Sequence, residues 1–184
     1  MKSKFPKLEN ILKKASEEKN TIDWKAKQKK WLAEVDNLYK LVNKWLAPFV
    51  EKKYVNIERE VSQLVEDFVG PYAAHKLICT VGKNKIVFQP IGMNIIAARG
   101  RVDILGPRGQ KIMLLLLGEN EVPAVTVSIN LRHPMEKLNK DIATPEKVEP
   151  LTLVWKVSGI NGSRRETTAL NEDTFSEIFE QLLN

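Results

Sequence analysis

Several residue types that common chemistries depend on are scarce in this sequence of 184 residues. Cys79 is the only cysteine, which excludes an internal disulfide and a zinc site built from cysteines of one chain. A single cysteine suits a reducing compartment, so we expect a cytoplasmic protein. The longest apolar run, residues 112–117, is far shorter than the roughly 20 residues that cross a bilayer. The basic start is followed by no apolar stretch of the kind that signal peptides have.

The sequence also lacks the patterns that carry common catalytic and metal sites. His75 and His133 are the only histidines and lie far apart, so a metal motif with two histidines on one helix is excluded. His75 and Cys79 share one face of a predicted strand, but about 13 Å separates such positions, too far for a nucleophilic pair. We interpret Cys79 as a small core residue. No glycine-rich phosphate loop is present. We therefore expect no catalytic residues, metal or cofactor, and favour a protein that is not an enzyme.

Positive charge is concentrated at the amino-terminal end. The formal net charge is +6, and residues 1–30 hold ten lysines against four acidic residues, whereas residues 31–184 carry 19 basic and 19 acidic side chains. Such a segment can bind an anionic partner, which leaves nucleic acid, a lipid surface and an acidic protein open. The candidate contact residues are Lys25, Lys27, Lys29 and Lys30. We favour the alternative of a solvated helix face, because the segment contains no arginine, the usual residue for bidentate binding of phosphate.

The most regular pattern is a stripe of large residues that predicts one long helix. Large residues recur every seven positions at Trp24, Trp31, Leu38 and Trp45. Each is followed four positions later by a member of a second set, which is Gln28, Val35, Val42 and Phe49. All eight positions lie on one face of a helix. We expect Asn20 or Thr21 to cap this helix and Pro48 to end or kink it. We interpret the stripe as core. An intermolecular seam, or a stacking or lipid-binding platform among the lysines, are the alternatives.

Three further segments have the spacing of amphipathic helices. Within residues 6–19, four apolar side chains share one helical face: Leu8, Ile11, Leu12 and Ala15. Residues 56–70 repeat apolar side chains at helical intervals and end on Gly70 and Pro71, a typical helix stop. The last helix begins after Asn171, which is a good N-cap followed by two acidic residues.

Between residues 73 and 169 the pattern changes to short β-rich runs separated by turn residues. Consecutive hairpins indicate an antiparallel meander of six to eight strands. The predicted turns are residues 82–84, 106–109 and 159–162, with a further strand at 124–131 and a long loop at 132–150. Residues 112–117 are apolar on both sides, so we expect a central strand that is buried on both faces.

One predicted strand carries charged side chains on a single side. Arg99, Arg101 and Asp103 alternate with small or apolar residues. Two arginines beside an aspartate could form an anion site on the sheet, for a small ligand or a substrate. We favour the alternative of a solvated face or an Arg–Asp salt bridge across the hairpin.

These patterns predict one α+β domain over residues 1–184. Residues 1–70 form a helical layer with a basic arm, packed on an antiparallel sheet over 73–169 and closed by a helix at 171–184. We interpret the protein as a non-catalytic interaction or assembly module that binds a protein partner or itself. Two alternatives stay open: nucleic-acid or anionic-surface binding through the lysines, and a small-ligand or enzyme site on the charged sheet face.

Overall fold

The computed structural model describes residues 23–96, 98–121, 152–158 and 167–184. Within these ranges the chain is α+β, with one helix before a seven-stranded antiparallel sheet and one after it. The elements are α1 (Trp24–Glu51), β1 (Asn56–Glu66), β2 (Gly70–Val81), β3 (Asn84–Gly92), β4 (Arg101–Leu105), β5 (Lys111–Gly118), β6 (Leu153–Ser158), β7 (Thr167–Ala169) and α2 (Glu172–Leu183). Each described strand pairs with the next described strand, so the predicted antiparallel meander is confirmed for these residues.

Helix α1 begins later and ends later than the sequence predicts. Asp23, and not Asn20 or Thr21, is the N-cap, and its carboxylate accepts a hydrogen bond from the Ala26 N–H at 2.9 Å. Pro48 lies inside the helix, so of the two predicted effects, an end or a kink, the end is wrong. A proline so close to the C-terminus removes a single backbone hydrogen bond, and the last residues stay helical.

The segment after α1 is a strand, and the helix predicted over residues 56–70 is wrong. Ile57, Val61 and Val65 lie four apart, a spacing that also places them on one side of a strand. All three are β-branched, which favours extended backbone. Strand β1 pairs with β2 along its whole length, and Gly70, at φ +81°, is the first residue of β2, directly after the turn at 67–69.

The tryptophan-bearing face of α1 lies largely in the hydrophobic core, as predicted. Trp31 is 2% exposed, and Leu38 and Val42 are fully buried. The cluster that contains them also includes side chains of strands β1 to β6 and of α2. Trp31 lies 6.0 Å from Trp155 between ring centroids. Phe49, at the far end of the stripe, is 47% exposed and does not belong to this core.

Strand β5 is the central strand that the sequence predicts. It lies between β4 and β6, and Ile112, Leu114 and Leu116 join the main core. Leu115 and Leu117, on the opposite face, are buried as well. The expectation of burial on both faces is therefore confirmed.

Helix α2 confirms the predicted cap and apolar face. The Asn171 side chain accepts a hydrogen bond from the Thr174 N–H, and the Thr174 hydroxyl accepts one from the Asn171 N–H, each at 2.9 Å. The buried face consists of Phe175, Ile178, Phe179 and Leu182. This reciprocal cap fixes the start of α2 next to β7.

Four predictions fall outside the described residues. They are the helix over 6–19, the strand over 124–131, the loop over 132–150 and the turn over 159–162. Neither of the two helices in the described ranges combines the length and the hydropathy that a membrane crossing requires.

Candidate functional site

The four candidate lysines lie near the start of α1 but on two sides of it. All four are exposed. At 3.6 residues per turn, Lys27 and Lys30 lie roughly 150° around the helix from Lys25 and Lys29. The structure therefore divides this predicted group into two pairs, and of the four lysines only Lys27 and Lys30 line a pocket.

This opening, the cationic pocket, has a volume of about 390 Å³. It is formed by Lys27, Lys30 and Trp31 of α1, Met93, Ala98 and Arg99 between β3 and β4, Leu116 of β5 and Leu153 of β6. The three cationic side chains are exposed, whereas Trp31, Met93 and Leu116 are buried. The pocket therefore has a basic rim above an apolar floor.

Among the described residues, the charges at the rim are not fully compensated. The Arg99 guanidinium donates to Glu121 at 2.8 and 3.4 Å, and this contact holds the pKa of the Glu121 carboxyl below its ordinary value. Throughout the described ranges, no carboxylate lies within 4.0 Å of the ammonium group of Lys27 or Lys30. Because Arg99 and Glu121 form a neutral pair, the described side chains at the rim carry two net positive charges, those of Lys27 and Lys30.

Lys27 is also in contact with an aromatic pair. Its ammonium nitrogen lies 4.9 Å from the centre of the Trp24 ring, which stacks on Phe68 at 5.4 Å and an interplanar angle of 12°. The cation–π contact favours a position of Lys27 beside the pocket. Phe68 is a hairpin-tip residue with φ +68°, and no pattern in the sequence connects it with Trp24.

The charged residues predicted on one strand separate into two ion pairs. Arg101 binds Asp103 through two hydrogen bonds of 2.6 and 2.8 Å, and Asp103 is 4% exposed. Lys111 adds a longer contact of 3.9 Å to the same carboxylate. Arg99 precedes β4 and binds Glu121 instead. Arg101 and Asp103 are thus brought together, within one strand and not across a hairpin, while Arg99 belongs to the cationic pocket.

A second concave surface, the apolar groove, lies between the end of α1 and helix α2. It has a volume of about 500 Å³, and its aromatic side chains are Trp45, Phe49, Tyr54, Phe175 and Phe179. Tyr54 is 63% exposed. The charged side chains that line it are Glu172 and Glu180. Sequence reasoning missed this surface, because it is built from segments about 120 residues apart.

No family model, curated protein or solved structure matches this chain. The ligands of the cationic pocket and the apolar groove are therefore inferred from the side chains that line them. Their electrostatic character is opposite, since one has lysines at its rim and the other has glutamates.

The buried tyrosine and the cysteine have a packing role and not a nucleophilic one. The Tyr39 hydroxyl donates to the His75 carbonyl oxygen at 2.7 Å, with the Phe88 carbonyl oxygen at 3.2 Å as a second acceptor. Burial raises the pKa of Tyr39 well above its ordinary value, and raises the pKa of Cys79 to about 12. Both groups are therefore neutral at physiological pH.

Replacing Tyr39 by phenylalanine should cost about 1–3 kcal/mol of stability at pH 8, because the part-buried bond to His75 and the buried bond to Phe88 lose their donor. The difference should shrink above pH 10. There the unfolded wild-type chain ionises its tyrosine while the folded chain resists ionisation, so wild-type stability falls by about 1.4 kcal/mol per pH unit from this residue. Urea unfolding followed by circular dichroism at pH 8 and pH 11 measures this change. A difference that stays constant between the two pH values would contradict the assigned pKa shift.

Proposed function

We propose that the protein is a non-catalytic assembly module, in which the apolar groove of one copy binds residues 6–19 of a second copy. The observation that carries this proposal is the groove itself. Phe49 and Tyr54 expose aromatic surface beside a concavity whose lining is mainly apolar. Exposed apolar surface with a polar rim is the usual composition of a protein-binding site.

The charge of the groove fits this occupant. Glu172 and Glu180 lie at its edge. Residues 1–22 carry six lysines and three glutamates. In helical form, residues 6–19 would turn their apolar face towards the groove and leave lysines near the two carboxylates. A basic amphipathic helix is thus the complement of this acidic, apolar surface.

The length of the connection to α1 favours a second copy over the same chain as the source of the segment that binds in the groove. Trp45 lies 21 residues after Trp24, which is about 32 Å along α1. The apolar centre of a helix over residues 6–19 lies about 11 Å from the end of that helix. The connection from residue 19 to Trp24 adds at most about 18 Å. Binding in the groove of its own chain would therefore require a nearly fully extended connection, whereas a neighbouring copy imposes no such requirement.

In this proposal the several amino-terminal helices expected from the sequence form a layer between two copies. The helix that the sequence predicts over residues 6–19 would be one of them. The groove then contributes α1 and α2 as the surfaces that the added helix packs against. Assembly would cover Phe49 and Tyr54, which are exposed in the single chain.

Sedimentation velocity on the full chain, at protein concentrations of tens of micromolar, tests this assembly. Wild type should sediment as a dimer or larger species. Ser176→Arg should be monomeric, since Ser176 lines the groove and arginine both fills it and repels the lysines. Glu177→Arg is the control, because this exposed neighbour does not line the groove, and it should assemble as wild type does. A monomeric wild type, or equal loss in both variants, would overturn the proposal.

A mixing experiment identifies the occupant. Ile11→Asp combined with Leu12→Asp removes the apolar face of the segment but keeps the groove, whereas Ser176→Arg keeps the segment but blocks the groove. Each variant alone should be monomeric, and an equimolar mixture should form a complex that contains both. If the mixture stays monomeric while wild type assembles, another surface joins the copies.

A further inference from the structure

We infer that the cationic pocket is a binding site for a small organic anion with an apolar body, such as a medium-chain carboxylate. This site is distinct from the apolar groove, lies at the opposite end of α1 and does not depend on assembly. Four features of the pocket support this assignment: its volume, its apolar floor, its basic rim and the arrangement of the lysines around the helix.

The floor suits the apolar part of such a ligand. Trp31, Met93 and Leu116 are each no more than 7% exposed and present aromatic, thioether and aliphatic surface to the pocket. A volume of about 390 Å³ falls within the range of small-molecule sites, roughly 300–1,000 Å³. An alkyl or aryl group placed there would leave water for an apolar environment.

The rim suits the anionic part. Lys27 and Lys30 approach the opening from one helix face, and Arg99 approaches it from the start of β4. Arg99 uses its Nε–H and one Nη2–H for Glu121, so within the described part of the chain three of its five N–H groups remain as donors. Glu121 also accepts from the Gly118 N–H at 2.7 Å, which fixes the Arg99 partner in place. A carboxylate above the floor would meet two ammonium groups and a positioned guanidinium group.

The arrangement favours a small anion over an extended polyanion. Lys25 and Lys29 point away from the pocket by roughly 150° around α1. A nucleic-acid strand lying against this end of the protein would therefore not contact all four lysines together. A carboxylate in the pocket needs only Lys27 and Lys30, which are the two that the fold gathers with Arg99.

Isothermal titration calorimetry with decanoate tests the site. Wild type should bind, and decanol, which has the same chain without the charge, should bind at least about tenfold more weakly. Lys27→Ala combined with Lys30→Ala should weaken decanoate binding by about tenfold or more. The matched control is Lys25→Ala with Lys29→Ala, which removes the same charge from the same helix and should leave the affinity within about twofold.

A third variant keeps the lysines and closes the space. Ala98→Phe places a bulky side chain in the pocket and should abolish decanoate binding while circular dichroism shows a folded protein. Failure of wild type to bind decanoate would overturn the inference, as would equal losses in the two lysine pairs. Equal losses, together with a rise in the anisotropy of a labelled oligonucleotide on wild type, would assign the lysines to nucleic-acid binding instead.

Discussion

Gly100→Ala is expected to destabilise the protein by about 3 kcal/mol, although it adds a single methyl group. A Cβ atom at this position would lie 2.5 Å from Cε3 of Trp31, and closer still to Cζ3. The ring cannot move aside easily, because it is 2% exposed and packs near Trp155. The backbone cannot retreat easily either, since the Gly100 carbonyl oxygen accepts a hydrogen bond from the Leu116 N–H at 2.9 Å.

Urea unfolding followed by circular dichroism measures the loss, and a double-mutant cycle assigns its cause. Trp31→Leu alone should cost about 3 kcal/mol through the cavity that it leaves. Combined with Gly100→Ala, the total should be about 2 kcal/mol less than the sum, because the smaller side chain relieves the clash. Gly109→Ala, where no atom lies within 4 Å of the added carbon, should cost only about 1 kcal/mol from its φ of +82°. Additive losses would show that Gly100 has a different role.

Local patterns predicted the elements whose signals lie within one segment. The tryptophan stripe, the Asn171 cap and the turns at 82–84 and 106–109 each depend on neighbours in the chain, and the structure has them. Strand β1 was mispredicted because Ile57 and Val65 fit a helical face and a strand face equally well. The choice between helix and strand is decided by β2, which pairs with β1 from Asn56 to Glu66. The spacing of residues within β1 carries no information about this partner strand.

The candidate sites show the same limit. Sequence proximity grouped the four lysines, but the turn of the helix separates Lys27 and Lys30 from the other two. Alternation along a strand grouped Arg99 with Arg101 and Asp103, but β4 begins at Arg101, and Arg99 binds Glu121. Which side chains share a pocket depends on elements that meet only after folding, and the sequence carries no local signal for that.

Glu66→Ala is expected to cost about 3 kcal/mol, because this carboxylate satisfies two backbone groups and one hydroxyl group. It accepts hydrogen bonds from the Met93 N–H at 3.0 Å, from the Asn94 N–H at 2.7 Å and from the Tyr72 hydroxyl. These contacts join the end of β1 to the segment that follows β3. Gly92 leaves the necessary room, since a Cβ atom there would lie 2.7 Å from Cδ of Glu66.

Removal of the Glu66 carboxylate would leave the two N–H groups without their acceptor, at about 1–3 kcal/mol each when they stay shielded from water. Glu66→Gln should lose less than Glu66→Ala, because its carbonyl oxygen still accepts. The pKa of Tyr72, which burial and the Glu66 hydrogen bond both raise, should fall in Glu66→Ala. Chemical unfolding gives the stabilities, and ultraviolet titration of the tyrosines gives the pKa. Glu60→Ala is the control on the same strand, because it loses an exposed ion pair with Lys76 and should unfold as wild type does. Equal stability of the Glu60 and Glu66 variants would show that the end of β1 is not held by this carboxylate.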